Sequence, residues 1–502
     1  MFLFLLLACA TQNNQDTTPL PDFEDELRDA IALDIEATGA TAFAMAVIKK
    51  DAVVWSDGFG THTKNGTEVT ADTLFRVASL TKPMTALAML QQVEDGCLDL
   101  NAPVDQYMPD FVINKQSELS STLSVADTLR MTGGLFDYQV QTGDDGDGKI
   151  EEFLPYYLNG GFFLSPPGRM YNYSNTNYIV AGRLVELCTD SYFRANMETA
   201  VWGPLGMDST TFSTSDVVAD GTYAMGVTTH WPDNPGQDVV VDAESFAASQ
   251  LWPAMGAWSS VNDLAKLGLF LMNGNSDVLS TELFETMTSM QVDAEEGYSS
   301  KGYGFGVQIK TGVKMGDAHY PVTMLSHLGS VYGSSAHMYL IPELNVGVVA
   351  LINRDNASPM NSVPLALDLA SLSTPQEVTY DLPTDFSEYQ GTFYNEFHIG
   401  SFNLTADESG LSVEIPTLDQ AGIGYTPRLE PIRPDNFLLY YPDGTYDLLS
   451  FLRDNDEEVE YIRHRNYVGK RVEETSLTTR DTPPFRSWGS WVTSEPRISV
   501  FD

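Results

Sequence analysis

Phe75-Arg76-Val77-Ala78-Ser79-Leu80-Thr81-Lys82-Pro83 opens a run in which Leu80, Met84, Leu87, Leu90 and Val93 recur at helical spacing up to a stop at Gly96. Three residues is nearly one helical turn, so the Lys82 amine and the Ser79 hydroxyl fall on one face of a predicted helix start. The unpaired N–H groups of such a start favour developing negative charge beside the serine. Ser79 is therefore a candidate nucleophile whose proton affinity its neighbour Lys82 lowers. Taken alone, Ser-x-x-Lys is also read as an N-capping serine next to an exposed lysine.

Two further stretches supply groups that such a serine needs. In Pro166-Pro167-Gly168-Arg169-Met170-Tyr171-Asn172-Tyr173-Ser174-Asn175 a Pro/Gly-bounded loop presents Tyr173 and Asn175 on either side of a serine. A lysine cation nearby can lower a phenol's pKa enough for it to accept the serine proton, and an amide can hold a substrate carbonyl. In Ser326-His327-Leu328-Gly329-Ser330 the imidazole is placed to donate to a substrate or to tune Tyr173. Gly329 would let a substrate backbone lie close to a strand, and the backbone N–H groups of Ser79 and Ser330 would form an oxyanion hole.

Taken in order, these three stretches resemble the serine β-lactamase and penicillin-binding-protein superfamily, particularly its class C β-lactamase and esterase-like branch. Further similar text runs through Phe75–Pro103, Leu123–Tyr138, Pro166–Phe212 and Gly302–Asn353. The resemblance implies Ser79 as nucleophile, Lys82 and Tyr173 as general base and acid, and Asn175 as a substrate-orienting amide. It also implies that His327-Leu328-Gly329 stands where many β-lactamases carry Lys-Thr-Gly. The activity implied is hydrolysis of a small-molecule or peptide acyl substrate, an ester or D-amino-acid peptide, through an acyl-enzyme and without a metal or organic cofactor. A true β-lactamase and a non-catalytic penicillin-binding sensor are the alternatives. A literal Lys310-Thr311-Gly312 lies upstream, but a strand pair follows His327 closely, whereas Lys310 is expected to end a strand.

Outside the motifs, 27 Lys and Arg against 69 Asp and Glu give a formal charge of -42, a surface that repels phosphate backbones and argues against a nucleic-acid partner. Spacing alone does not pair Cys97 with Cys188; two separate buried thiols are the expectation, with a bridge as the alternative in an oxidising compartment. The acidic Asp144-Asp145-Gly146-Asp147-Gly148 run lacks two main ligands of a calcium loop and is read as a solvated loop. Met1–Ala8 is a short apolar run ending at Cys9, and it resembles a bacterial lipobox. In that reading Cys9 is lipidated and tethers the protein to the cell envelope; an ordinary signal peptide, and secretion, is the other.

The domain order expected is a signal and tether over 1–22, then an α+β domain over 23–372 whose first and last strands share one antiparallel sheet. A linker over 373–385 leads to a small all-β, lipocalin-like barrel over 386–478 and a tail over 479–502. The oligomeric state is not legible.

Overall fold

The computed structural model describes residues 21–472 apart from 62, 138–145, 231–235, 247, 297–299, 316–317, 369–381, 396–399, 421, 443–445, 454–457 and 465–466. Cys9, the tether, most of the expected linker and the tail lie outside the described residues. Helix α1 (Pro21–Thr38) leads into the hairpin of β1 (Ala42–Lys49) and β2 (Ala52–Gly60). A largely helical stretch follows, containing α2 (Lys82–Glu94), α3 (Asn175–Thr189) and α4 (Val261–Asn273). Strands return as β3 (Val292–Glu296), β4 (Ser300–Tyr303), β5 (Gln308–Met315), β6 (Ala318–Val331), β7 (Ser334–Ile341) and β8 (Val346–Ile352). They close on the first hairpin in the order β2-β1-β8-β7-β6-β5-β4-β3, antiparallel throughout. The expected sharing of one sheet by the two ends of the domain is what is found.

Strand β1 is buried along almost its whole length because both faces of the sheet are covered. Phe43, Met45 and Val47 pack with Leu27 and Ile31 of α1 and with Val363 of α5 (Ser362–Asp368). Ala42, Ala44, Ala46 and Ile48 join the opposite core with α4 and the helical region. The buried carboxylate of Asp34 accepts from the backbone N–H groups of Asn361 and Ser362 at 2.9 and 2.8 Å, so α1 caps α5 across the fold. Cys97, just past α2, is bonded to Cys188 near the end of α3, across a sequence separation of 91. The expectation of two separate thiols fails because those two packed helix ends bring the Cα atoms to 5.9 Å.

One other expectation changes. Lys310 does not end a strand: Lys310-Thr311-Gly312 lies inside β5, with Lys310 opposite Met324 of β6. Asp144 and Asp145 of the acidic run lie outside the described residues, and Asp147 pairs with Arg194 at 2.6 Å with both side chains partly exposed. Among the described residues no helix is long and apolar enough to cross a membrane.

Beyond the first domain, eight strands between Gly391 and Val472 form a second antiparallel sheet in which the first strand, Gly391–Asn395, pairs with the last, Tyr467–Val472. Its outer strand Gly410–Glu414 meets the segment leading into the opposite edge, with Leu429 N–H donating to Leu411 C=O at 3.0 Å and Val413 N–H to Pro427 C=O at 2.8 Å. The sheet is thus a nearly closed barrel, which leaves little free edge.

Candidate active site

Ser79 does not sit on the α-helix itself. It lies in a 3₁₀ turn, Ala78–Thr81, and α2 begins only at Lys82. Ala78, immediately before it, holds φ +47°, in the left-handed region that an alanine rarely adopts. This sharp reversal after the short strand Phe75–Arg76 turns Ser79 toward β6. The first backbone bond of the turn runs from Leu80 N–H to Val77 C=O at 3.1 Å, so the turn itself gives the Ser79 N–H no acceptor.

Lys82 is buried with three neighbours around its amine: Ser79 Oγ at 2.9 Å, Asn175 Oδ1 at 2.8 Å and the Ala254 C=O at 2.9 Å. The amide and carbonyl oxygens only accept. A neutral amine therefore has both N–H groups committed to them and its lone pair aimed at the Ser79 hydroxyl, while an ammonium donates to all three. The site accommodates either state, as a group that takes up and returns a proton requires. The Nζ also lies 4.7 Å from the centroid of the Tyr173 ring and 5.7 Å from that of Tyr178, a cage that favours the cation.

Asn175 opens α3 and is itself oriented. Asp137 accepts from the Asn175 N–H at 2.9 Å and from its Nδ2 at 3.1 Å. Because a carboxylate has no proton to donate, it draws the NH₂ end of the amide and leaves Oδ1 to Lys82. Asp137 belongs to the quoted text between Leu123 and Tyr138, but neither spacing nor periodicity pointed to it.

The strand side of the site comes from β6. Its pairing with β5 stops at Ser326 opposite Gln308, which leaves the edge from His327 to Val331 open on that side. Val331 and Ser334 flank a two-residue turn, and the alternation of an antiparallel ladder then makes Ser330 and Ser335 a non-hydrogen-bonded pair. The Ser330 N–H consequently points to the open edge, at the corner where the Ser79 N–H also lies. Gly329 sets that closeness: a Cβ there would meet Val77 O at 2.3 Å and Ser79 N at 3.0 Å. The absent side chain of Gly329 thus makes room for the nucleophile turn, while the strand edge beside it stays open.

His327 does not present a donor to this edge. Its Nδ1 lies 2.7 Å from the Leu328 C=O, which can only accept, so Nδ1 carries the proton and Nε2 accepts from the Tyr303 hydroxyl at 2.9 Å. Burial, and secondly the Lys82 charge, lower its pKa to about 3, which keeps the ring neutral. The ring is bonded to Tyr303, and its centroid lies 6.5 Å from that of Tyr173. Tyr303, at the end of β4, had no motif to mark it. Burial holds its phenol well above the ordinary pKa, as it does for Tyr178, so both remain protonated.

Ser79, Lys82, Tyr173, Asn175, His327 and Ser330 are each at most 1% exposed, so the six groups lie in a closed interior. Among the described residues no group of three His, Cys, Asp or Glu is placed to hold a metal.

A family model described as Beta-lactamase matches residues 27–371. The chain is 28% identical over 316 residues to "Unguisins hydrolase ungD'" of Aspergillus campestris, 61% of this chain and 57% of that protein. It is 25% identical over 405 residues to "Unguisins hydrolase ungD" of Aspergillus violaceofuscus, 75% of this chain and 69% of the relative. The alignments thus span between somewhat over half and about two thirds of these curated relatives. The fold matches that of the octameric penicillin-binding protein homologue from Pyrococcus abyssi at a TM-score of 0.60 and 20% identity, covering 89% of this chain and 99% of that one. It also matches the D-amino acid amidase from Ochrobactrum anthropi SV3 at 0.57 and 21%, covering 70% and 99%.

Proposed function

This chain belongs to the Beta-lactamase family, and within it we propose a serine hydrolase that acts through a Ser79 acyl-enzyme on an ester, a D-amino-acid peptide or a related amide. The observation that carries the reading is the Lys82 amine 2.9 Å from the Ser79 hydroxyl, beside the Asn175 Oδ1 and Ala254 C=O, both pure acceptors.

The Ser79 oxygen attacks the carbonyl carbon and its proton passes to Lys82. The carbonyl π bond breaks toward oxygen, and that charge is taken by the N–H groups of Ser79 and Ser330, each such donor worth about 10²–10³ in rate. As the tetrahedral centre collapses, the leaving group accepts a proton from Lys82 or, through it, from Tyr173. Water then repeats the sequence on the acyl-enzyme, and the same two groups return the proton to Ser79. Asn175 orients the acyl side chain. The neutral His327 supplies no fixed cation for the carboxylate of a β-lactam, which ranks esters and D-peptides ahead of antibiotics. The likeness in fold to the D-amino acid amidase from Ochrobactrum anthropi SV3 is in keeping with that ranking.

The Cys97–Cys188 bond supports a protein that works in an oxidising compartment, in keeping with secretion or a Cys9 tether at the cell envelope. Incubation with a fluorophosphonate followed by peptide mass spectrometry tests the core of the proposal: the expected adduct is on Ser79 and is absent from Ser79→Ala. An adduct on another residue defeats it. A panel of esters, D-amino-acid amides and a chromogenic cephalosporin ranks substrates, and an acyl-enzyme that persists for hours on every one would favour the sensor.

A further inference from the structure

The loop that carries Tyr173 is held from outside the β-lactamase-like domain. Arg463, buried on the barrel strand Val459–His464, donates to the Tyr171 C=O at 2.7 Å, and its guanidinium lies 5.5 Å from the centroid of the Tyr171 ring. On the neighbouring barrel strand, the Val468 N–H donates to Asn172 Oδ1 at 3.3 Å. Arg169, at the start of the same loop, pairs with Glu460 at 3.1 Å, and Met170 packs with Tyr461 and Val468. Between these anchors, the Tyr467 ring stands edge-on to the Tyr173 ring with centroids 6.4 Å apart, and Tyr467 is 7% exposed. Every residue from Arg169 to Tyr173 thus meets one hairpin of the second domain.

We propose that this hairpin is part of the active site: Tyr467 forms a wall of the acyl pocket and limits the size of the acyl group, while Arg463 positions the Tyr173 loop. The inference rests on the Ser79 acyl-enzyme reading above. A tyrosine suits such a wall because it has few rotamers to lose and stands rigidly on a paired strand. The Arg463 bond goes to backbone, so it sets the loop's path whatever side chain Tyr171 presents. The two rings are in edge-to-face contact, so a compact acyl group lies beside the Tyr467 ring and a bulky one meets it.

The test uses the full chain and p-nitrophenyl esters of rising acyl size, from acetyl to phenylacetyl, with fluorophosphonate labelling of Ser79 run in parallel. Labelled wild type secures the acyl-enzyme reading; failure to label Ser79 removes that reading and this one together. With labelling intact, Tyr467→Ala should shift the ratio of kcat/KM, bulky over small ester, by at least about tenfold toward the bulky one. Tyr467→Leu, which retains much of the buried volume and serves if the alanine variant does not fold, should shift it in the same direction. Tyr467→Phe, which keeps the ring, should retain the wild-type ratio. Equal losses on all esters, an unchanged ratio in the leucine variant, or a phenylalanine variant that behaves like leucine would each overturn the wall. Arg463→Met should lower kcat on every ester with little change in KM and no change in the size ratio; a shifted ratio there would overturn its assignment to loop position alone.

Discussion

Replacing Gly329 by alanine tests whether the contact between β6 and the nucleophile turn sets the reaction geometry. The new Cβ would lie 2.3 Å from Val77 O, 3.0 Å from Ser79 N and 3.1 Å from Ala78 Cβ. Ordinary contact begins at 3.4 Å, so strand and turn must part by about 1.1 Å at the Val77 carbonyl, which is backbone and has no rotamer to escape into. Ser79 and Lys82 belong to one continuous turn and helix and move together, so their 2.9 Å contact persists. The oxyanion corner is different, because its two N–H groups sit on the two elements that separate. A displacement near 1 Å is worth about 10²-fold in rate, or about 2.7 kcal/mol of barrier. The expected result is therefore a kcat roughly 100-fold lower with KM little changed, on the best ester of the panel. Overpacking should also destabilise the fold by about 1–3 kcal/mol, seen as a lower melting temperature. Gly160→Ala, where a Cβ would meet nothing within 4 Å, is the control and should leave turnover unchanged. A Gly329→Ala enzyme within threefold of wild type would refute the reasoning.

Three further outcomes are expected. Asp137→Asn should lower kcat/KM by roughly 10–100-fold, nearly as much as Asp137→Ala. A side-chain NH₂ facing the Asn175 amide turns that amide's oxygen away from Lys82 and leaves a buried polar group unpaired. An asparagine variant with wild-type turnover contradicts the role of the carboxylate. His327 and His337 are buried neutral, with pKa lowered to about 3 and about 4 from 6.5. Below pH 6.5 the unfolded chain therefore binds more protons than the folded one. Their contribution to stability is complete above pH 6.5 and is lost as pH falls from there toward the folded values. The slope is on the order of 1 kcal/mol per pH unit for each. Urea unfolding at pH 7.5, 5.5 and 4.5 should show that fall, reduced in His337→Gln, and an identical slope in that variant counts against the assignment. Finally, the Cys97–Cys188 bond closes a separation of 91 residues, and opening it should cost about 4–5 kcal/mol by chain entropy. Thermal melts with and without reductant measure it, and an unchanged melting temperature after verified reduction excludes the estimate.

Much of the first domain was legible because its signals are local. The unbroken apolar run Ala42–Ile48 and the helical spacing after Leu80 each report an environment that a short window of sequence experiences. The run of short alternating strands after Gly391 likewise marks a small β fold. The long strand Ala318–Val331 was not seen, since its polar and glycine positions, from His319 to Ser330, lack the alternation that a half-exposed strand would show. Its pattern is written by partners on both sides rather than by solvent on one.

The same division runs through the site. Ser79 and Lys82 were readable as a pair because one turn of backbone fixes their relation, and Tyr173 and Asn175 because they share one loop. Nothing local could orient the His327 ring toward Tyr303, set the Asn175 amide through Asp137, join Cys97 to Cys188 or bring Tyr467 to Tyr173, 294 residues away in the chain. The amino-acid order by itself determined which groups were present and how neighbours within a turn must face. Which distant groups meet was decided only by packing, because hydrogen-bond partners and ring contacts depend on positions that the whole core sets together, and no short stretch of chain contains them.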